Sequence, residues 1–357
     1  MNGITILHGD VREVLPTLPD ESVHCVVTSP PYWGLRDYGV EGQLGLERTP
    51  EEYVSNMVGV FREVRRILRD DGTLWLNMGD SYATGAGKVG DCPGGGEQGE
   101  RWKGNRGQHT AENSGKHGPS LEAMGPRIQP NRMPIPGLKP KDLCGIPWML
   151  AFALRADGWY LRQDIIWSKP NPMPESVTDR CTKAHEYLFL LSKRERYYFD
   201  QDAILEACSP ATHARLSQDV QAQIGSARVP GKTNGNMKAV GRKLAEPGSG
   251  TKNNSSFDAA MAIMPEKRNK RSVWEVTTQP FPEAHFATFP EDLIKPCILA
   301  GCPAGGTVLD PFFGSGTTGL VASKLHCKCI GVELNAEYIK IAEKRLGQDV
   351  LHFAEVV

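Results

Sequence analysis

The sequence predicts an α/β fold built on a mostly parallel sheet. Three observations carry this. Short apolar runs bounded by turns recur as buried strands. Segments with one apolar face at helical spacing lie between them. A glycine-rich turn joins one strand directly to a helix. Strands alternating with helices give a parallel sheet covered on both faces.

Taken in order, Val23–Thr28 (Val-His-Cys-Val-Val-Thr) reads as the first strand. From Glu51 to Arg69 apolar residues recur at Tyr53, Met57, Val60, Phe61, Val64, Ile67 and Leu68. This predicts a helix with one buried face, and Gly72 is its expected stop. Thr73–Asn77, Asp164–Trp167 and Glu186–Leu191 follow as strands. Thr307–Asp310 and Lys328–Glu333 are two more, interleaved with helices expected at Thr317–Leu325 and Ala336–Leu346.

Two segments break the rhythm. Residues 84–140 hold 13 glycines, with 8 basic and 5 acidic residues. Residues 209–272 are rich in Gly, Asn and Ser and carry 11 basic against 4 acidic residues. The whole chain has a net charge of −1, so this local excess of 7 leaves −8 on the remainder. A near-neutral total therefore conceals an acidic body and a basic insert suited to a phosphate backbone. The expected organisation is a catalytic domain from 1–83, 141–208 and 273–357, a glycine-rich insert at 84–140, and a basic target-recognition insert at 209–272.

The nine cysteines show no C-x2-C spacing, which makes a zinc ribbon improbable. Cys327 and Cys329 flank one strand residue, and they are expected to point apart and share no metal. No metal is expected anywhere. No basic leader and no run of eighteen apolar residues occur, so a cytoplasmic protein with reduced thiols and no membrane partner is expected.

Two motifs carry chemistry. Asp310-Pro311-Phe312-Phe313-Gly314-Ser315-Gly316-Thr317-Thr318-Gly319 follows a strand and opens a helix. About twenty residues later a strand ends in Glu333, where a carboxylate can accept from the two hydroxyls of a ribose. The glycine spacing alone also fits a dinucleotide site, but the Asp310-Pro311-Phe312 prefix departs from that pattern. Thr28-Ser29-Pro30-Pro31-Tyr32-Trp33 follows another strand. Its prolines fix two φ angles and remove two donors, giving a rigid elbow with exposed carbonyls and an aromatic ring beside it.

Together these resemble the S-P-P-Y and D-P-F-x-G-S-G-T-T motifs of the DNA amino-methyltransferases, which act on N4 of cytosine or N6 of adenine. The amino-transfer motif comes first here, an order similar to the circularly permuted β group. The resemblance covers most of the chain. It implies a Rossmann-like, seven-stranded sheet with one antiparallel strand near its edge, and S-adenosyl-L-methionine (AdoMet) as cofactor. His8-Gly9-Asp10 looks like the element whose acid meets the adenine. Ala284 to Pro290 resembles the element that holds the methionine end, which nominates Thr288 and Phe289. Trp167 to Pro172 and His185-Glu186-Tyr187 resemble segments around later strands.

The resemblance thus implies Ser29, Pro30, Pro31 and Tyr32 as catalytic residues. It implies Asp10, Thr288, Phe289, Asp310, Phe312, Gly314, Gly316, Thr317 and Glu333 as cofactor residues. Lys267, Arg268, Lys270 and Arg271 are expected to contact DNA. The implied partners are double-stranded DNA, a second copy of the chain and a cognate restriction endonuclease, in a prokaryotic, phage or plasmid setting. Serine ahead of Pro-Pro-Tyr leans towards N4 of cytosine, with N6 of adenine as the alternative. A non-catalytic DNA-binding relative and an RNA methyltransferase are the readings from other classes. A C5-cytosine enzyme would need a Pro-Cys nucleophile loop. The chain's Pro296-Cys297 lies in an apolar, helix-like stretch, so Cys297 is expected in the core.

Overall fold

The computed structural model describes residues 3–35, 40–83, 135, 137–208, 267–279, 289–347 and 351–352. The chain divides into two compact units, Met1–Ala203 with Arg271–Val357, and Ile204–Lys270. The 84–140 insert and the basic 209–272 insert fall largely outside the described residues.

The strands of the larger unit are β1 (Ile4–His8), β2 (Val23–Thr28), β3 (Leu68–Met78), β4 (Tyr160–Ser168), β5 (His185–Ser192), β8 (Val273–Glu275), β9 (Thr307–Asp310), β10 (Lys328–Glu333) and β11 (Leu351–His352). They form one sheet in the order β11-β1-β10-β9-β2-β3-β5-β4-β8. Seven longer strands make its body, as expected, and the short β8 and β11 extend its two edges. Only β5 runs antiparallel, pairing with β3 on one side and β4 on the other. The sheet is therefore Rossmann-like. β2 and β9, far apart in sequence, lie side by side and parallel through Cys25↔Val308 and Val26↔Leu309.

The helices are α1 (Val11–Val14), α2 (Pro50–Ile67), α3 (Ile146–Ala156), α4 (Glu291–Gly301), α5 (Thr317–Lys324) and α6 (Ala336–Leu346). In α2, Thr49 caps the amino end by accepting from the Glu52 amide at 3.2 Å, and Pro50 occupies the first turn. Such a cap contributes about 1 kcal/mol. The buried face of α2 is Tyr53, Met57, Val60, Phe61, Val64 and Ile67, all read from the sequence, together with Pro50 and Val54, which the sequence spacing does not nominate.

The end of α2 differs from expectation. The helix stops at Ile67 and β3 starts at Leu68, ahead of Gly72. Leu68 is fully buried and pairs with Val23. From Val23 to Cys25, two steps on β2 face five on β3, from Leu68 to Thr73, so Arg69, Asp70 and Asp71 bulge outwards as exposed residues. Burial of Leu68 in the sheet overrides the helical period that nominates it.

Cys297 is fully buried in α4, as expected. The expectation for Cys327 and Cys329 is corrected. Residues two apart share a face of a strand. Both are buried, and their thiols lie in one neighbourhood with Cys25 and Cys302. Among the described residues no group of three or more His, Cys, Asp or Glu side chains could hold a metal, and no helix is long and apolar enough to cross a membrane.

The smaller unit holds β6 (Glu206–Ala207) and β7 (Lys267–Arg268), an antiparallel pair joining the flanks of the basic segment.

Candidate active site

Parallel strands present their carboxyl ends on one edge of a sheet, and ligands bind there. β1, β2, β9 and β10 lead into Gly9-Asp10, Ser29 to Tyr32, Pro311 to Ser315 and Leu334-Asn335 on that edge. Because β5 is antiparallel, its first residues, His185 and Glu186, lie on the same edge. All of these segments except His185 line a single cavity of about 330 Å³ with Phe289, Glu333 and Tyr338. This falls within the size range of small-molecule sites.

The side of the cavity that the motifs assign to the cofactor is built around two acids. Glu333 at the end of β10 accepts from the Gly314 amide at 2.7 Å through Oε2, and from the Asn335 amide at 2.8 Å through Oε1. Each oxygen keeps lone-pair capacity towards the cavity. Burial raises its pKa above the usual carboxylate range. The turn that brings Gly314 there needs φ of +52° at Gly314 and +77° at Gly316, which residues with a Cβ rarely adopt. A Cβ built on Gly314 would meet nothing within 4 Å, so the loop opens onto free space beside Glu333.

Asp310 takes a different position from its neighbours. It is buried and absent from the cavity wall. Its Oδ1 accepts from the Thr28 hydroxyl at 2.7 Å and the Phe312 amide at 3.1 Å, and its Oδ2 from the Thr318 hydroxyl at 2.6 Å. Burial pushes its pKa up to about 7. Asp310 thus ties the glycine turn to the last residue of β2, Thr28, directly ahead of Ser29. Gly316 also stands behind the wall, whereas Phe312, Gly314 and Thr317 line it. Phe289 lines the cavity; Thr288 lies outside the described residues. Asp10 lines the cavity too, with its carboxylate gripped by the Arg12 guanidinium, which also donates to the Gly42 carbonyl at 2.8 Å.

On the elbow side, Ser29, Pro30, Pro31 and Tyr32 all line the cavity. The elbow is fixed from outside. Tyr53 of α2 donates to the Pro31 carbonyl at 2.8 Å, and the buried Trp33 donates its indole N–H to the Glu47 carbonyl at 2.9 Å. The Ser29 hydroxyl lies 3.3 Å from the Tyr32 hydroxyl, which donates to Glu186 Oε2 at 2.8 Å. Asn77 also donates to that oxygen at 3.3 Å, and Lys169 pairs with Oε1 at 2.5 Å. Burial, reinforced by the Glu186 charge, raises the Tyr32 pKa well above its ordinary value, so the phenol stays protonated. Gly79 gives the ring its room, since a Cβ there would lie 2.5 Å from Tyr32 Cε2.

The sequence motifs nominate the elbow and the cofactor loop, and the structure brings them to one cavity. Glu186, Asn77 and Lys169 receive no role from the motifs. An ionisable residue heading an otherwise apolar strand is the available signal for Glu186.

This topology and site define an AdoMet-dependent methyltransferase fold. The DNA methylase family model for N6 and N4 enzymes matches residues 23–344, and the chain belongs to that family. It is 43% identical over 342 residues to the Type II methyltransferase M.SmaI of Serratia marcescens, covering 96% of this chain and 90% of that one. It is also 43% identical over 350 residues to M.Cfr9I of Citrobacter freundii, covering 98% and 90%. Among solved structures, PvuII DNA methyltransferase, described as cytosine-N4-specific, superposes with a TM-score of 0.57 at 16% identity, covering 98% of this chain and 88% of that one. A putative DNA modification methylase of Thermus thermophilus, complexed with S-adenosyl-L-methionine, gives 0.53 at 20% identity, covering 98% and 99%. Both share the fold.

Proposed function

We propose that this protein methylates the exocyclic amino group of a base flipped out of duplex DNA, using AdoMet, and that the acceptor is N4 of cytosine. The observation that carries this reading is the single cavity in which Ser29, Pro30 and Tyr32 face Phe312, Gly314 and Glu333. The donor set fits the cofactor. Glu333 offers acceptors for ribose hydroxyls, and Phe289, Phe312 and Tyr338 offer apolar and aromatic walls. When bound there, AdoMet supplies an electrophilic methyl group on a cationic sulfur.

A conjugated exocyclic amine is a poor nucleophile, because its lone pair is delocalised into the ring. Ser29 Oγ and the Pro30 carbonyl accept its two hydrogens and draw the nitrogen towards sp³ geometry. Tyr53 already occupies the neighbouring Pro31 carbonyl. Tyr32, held by Glu186, packs against the flipped ring. Fixing the amine beside the methyl donor converts an encounter into an intramolecular step. After the nitrogen gains its methyl group, its surplus proton leaves to water. Serine ahead of Pro30-Pro31-Tyr32, the form of the motif that resembles the N4-cytosine enzymes, is the reason for choosing cytosine.

Lys267 and Arg271, both exposed, contact phosphates. Arg268 and Lys270 pair with Glu206 at 3.6 and 3.1 Å, and their phosphate contacts compete with that carboxylate. The Type II names of the relatives favour a matching endonuclease acting on the same bacterial DNA. A two-fold dimer completes the reading. Methylated DNA digested to nucleosides and examined by mass spectrometry tests it. N4-methylcytosine is expected, N6-methyladenine would move the acceptor, and methylated nucleosides found only in RNA incubated in parallel would overturn the reading.

A further inference from the structure

We propose that Met173 is the apolar wedge that fills the gap left in the DNA stack when the target base swings into the cavity. The proposal rests on the reading of this protein as an enzyme acting on duplex DNA, and adds the residue that eases extrusion. Met173 is 83% exposed, the most exposed large apolar side chain among those described. It lies between Pro172 and Pro174 in the segment from Lys169 to Ala184, which joins β4 to β5 on the edge that carries the cavity.

Both shoulders of this tip are fastened. On one side Asn171 donates to the Thr278 carbonyl at 3.2 Å, and the Thr278 amide donates back to Asn171 at 3.0 Å. On the other, Glu175 Oε2 accepts from Arg180 at 2.6 Å and from the Lys183 amide at 3.2 Å. Arg180 in turn lies 4.0 Å from the centroid of the Tyr82 ring. The two prolines fix their own φ angles and restrict the residues before them, Asn171 and Met173. The loop thus holds a bare thioether in water on a stiffened support, an arrangement that gains nothing for folding.

Its position suits a wedge. Lys169 contacts Glu186, which holds Tyr32. Three residues lie between Lys169 and Met173, and the four Cα-to-Cα steps span at most about 14 Å when extended. Extruding a base breaks its pairing and stacking and leaves a gap that water fills poorly. A flexible, polarisable apolar side chain inserted there restores contact with the neighbouring bases.

The test uses the full-length enzyme and the site mapped from plasmid methylated by the wild type. Two synthetic duplexes carry that site, one normally paired and one with an abasic residue opposite the target base, where pairing is already lost. Met173→Ala is expected to lower kcat/KM on the paired duplex about tenfold while leaving the abasic duplex within about threefold of wild type. Met173→Leu is expected to stay close to wild type on both, and AdoMet affinity by calorimetry is expected to hold in both variants. Undiminished activity of Met173→Ala on the paired duplex, or an equal loss on both duplexes, would overturn the wedge. A wild-type enzyme that labels no duplex DNA would instead overturn the functional reading, and the wedge with it.

Discussion

The two sides of the cavity hold their acids in different ways. On the cofactor side, Glu333 is held by backbone amides from the turns beside it, and Asp310 by two threonine hydroxyls and an amide. On the elbow side, Glu186 is held by side chains from three other segments: Lys169 after β4, Asn77 of β3 and Tyr32 of the elbow. Asp310, Thr28 and Thr318 are fully buried, so no water can replace a partner lost there. Glu186 and Lys169 keep part of their side chains in contact with solvent, which can take the place of a lost partner. The cofactor side should therefore fail abruptly under mutation, and the elbow side by degrees.

The largest effect is expected for Asp310→Ala. It strands the hydroxyls of Thr28 and Thr318 and the Phe312 amide, each buried unsatisfied group costing about 1–3 kcal/mol. Melting temperature and AdoMet binding by calorimetry should both collapse; a stable variant with normal AdoMet affinity would show that Asp310 does not join the two sides. The same residue gives a pH signature. Its folded pKa of about 7 exceeds the unfolded carboxylate value of about 3.9, so between these values the folded state holds the extra proton. Its contribution to stability is present below about pH 4 and is lost as pH rises through about 7. Asp310→Asn should flatten this part of a melting-temperature profile, and an unchanged slope would assign it elsewhere.

Ser29→Ala comes next. Single-turnover methylation should slow about a hundredfold, as for loss of a transition-state hydrogen bond, with AdoMet affinity nearly intact. Equal rates for variant and wild type would remove Ser29 from the reaction. Glu186→Gln keeps an acceptor for Tyr32 but leaves Lys169 without its carboxylate. A loss of about tenfold in kcat/KM for DNA, with an unchanged melting temperature, is expected from a network that degrades gradually. A collapse as severe as that of Asp310→Ala would erase the contrast between the two sides. The smallest effect on turnover is expected from Lys267→Glu combined with Arg271→Glu. The slope of log affinity against log salt should fall by about two, one for each lost phosphate contact. A preserved slope would take both residues off the DNA.

Legibility in the sequence follows the same division. The six strands read from apolar runs are present, because most lie inside the sheet, and a strand covered on both faces writes a continuous apolar signature whichever way it runs. The cofactor loop is readable because one stretch of chain builds it, with Glu333 a strand away. The short β1 and the marginal β8 offer no comparable run, and α3 is apolar without a break from Ile146 to Leu154, so it lacks the polar face that marks α2 as a helix. The α2–β3 boundary is misplaced by periodicity because Leu68 satisfies helical spacing and sheet burial equally. Glu186 and Asn77 gain their meaning only when β5 is laid antiparallel beside β3, a placement no local pattern encodes. Asp310 is recognisable by motif, yet its side chain faces Thr28 rather than the cavity, because its role depends on which strand becomes its neighbour.

The pairing of Thr28 with Asp310 spans 282 residues of sequence. On a ribosome adding about 5–20 residues each second, β2 emerges on the order of tens of seconds before β9 exists to lie beside it. During that interval β2 lacks one of its two neighbours and the elbow has no cofactor loop to face. Loop closure on this scale places the central pairing among the late events of folding. The contact between β2 and β9 therefore completes late, and a nascent chain that stalls before Asp310 carries Ser29 to Tyr32 without the glycine turn that faces them across the cavity.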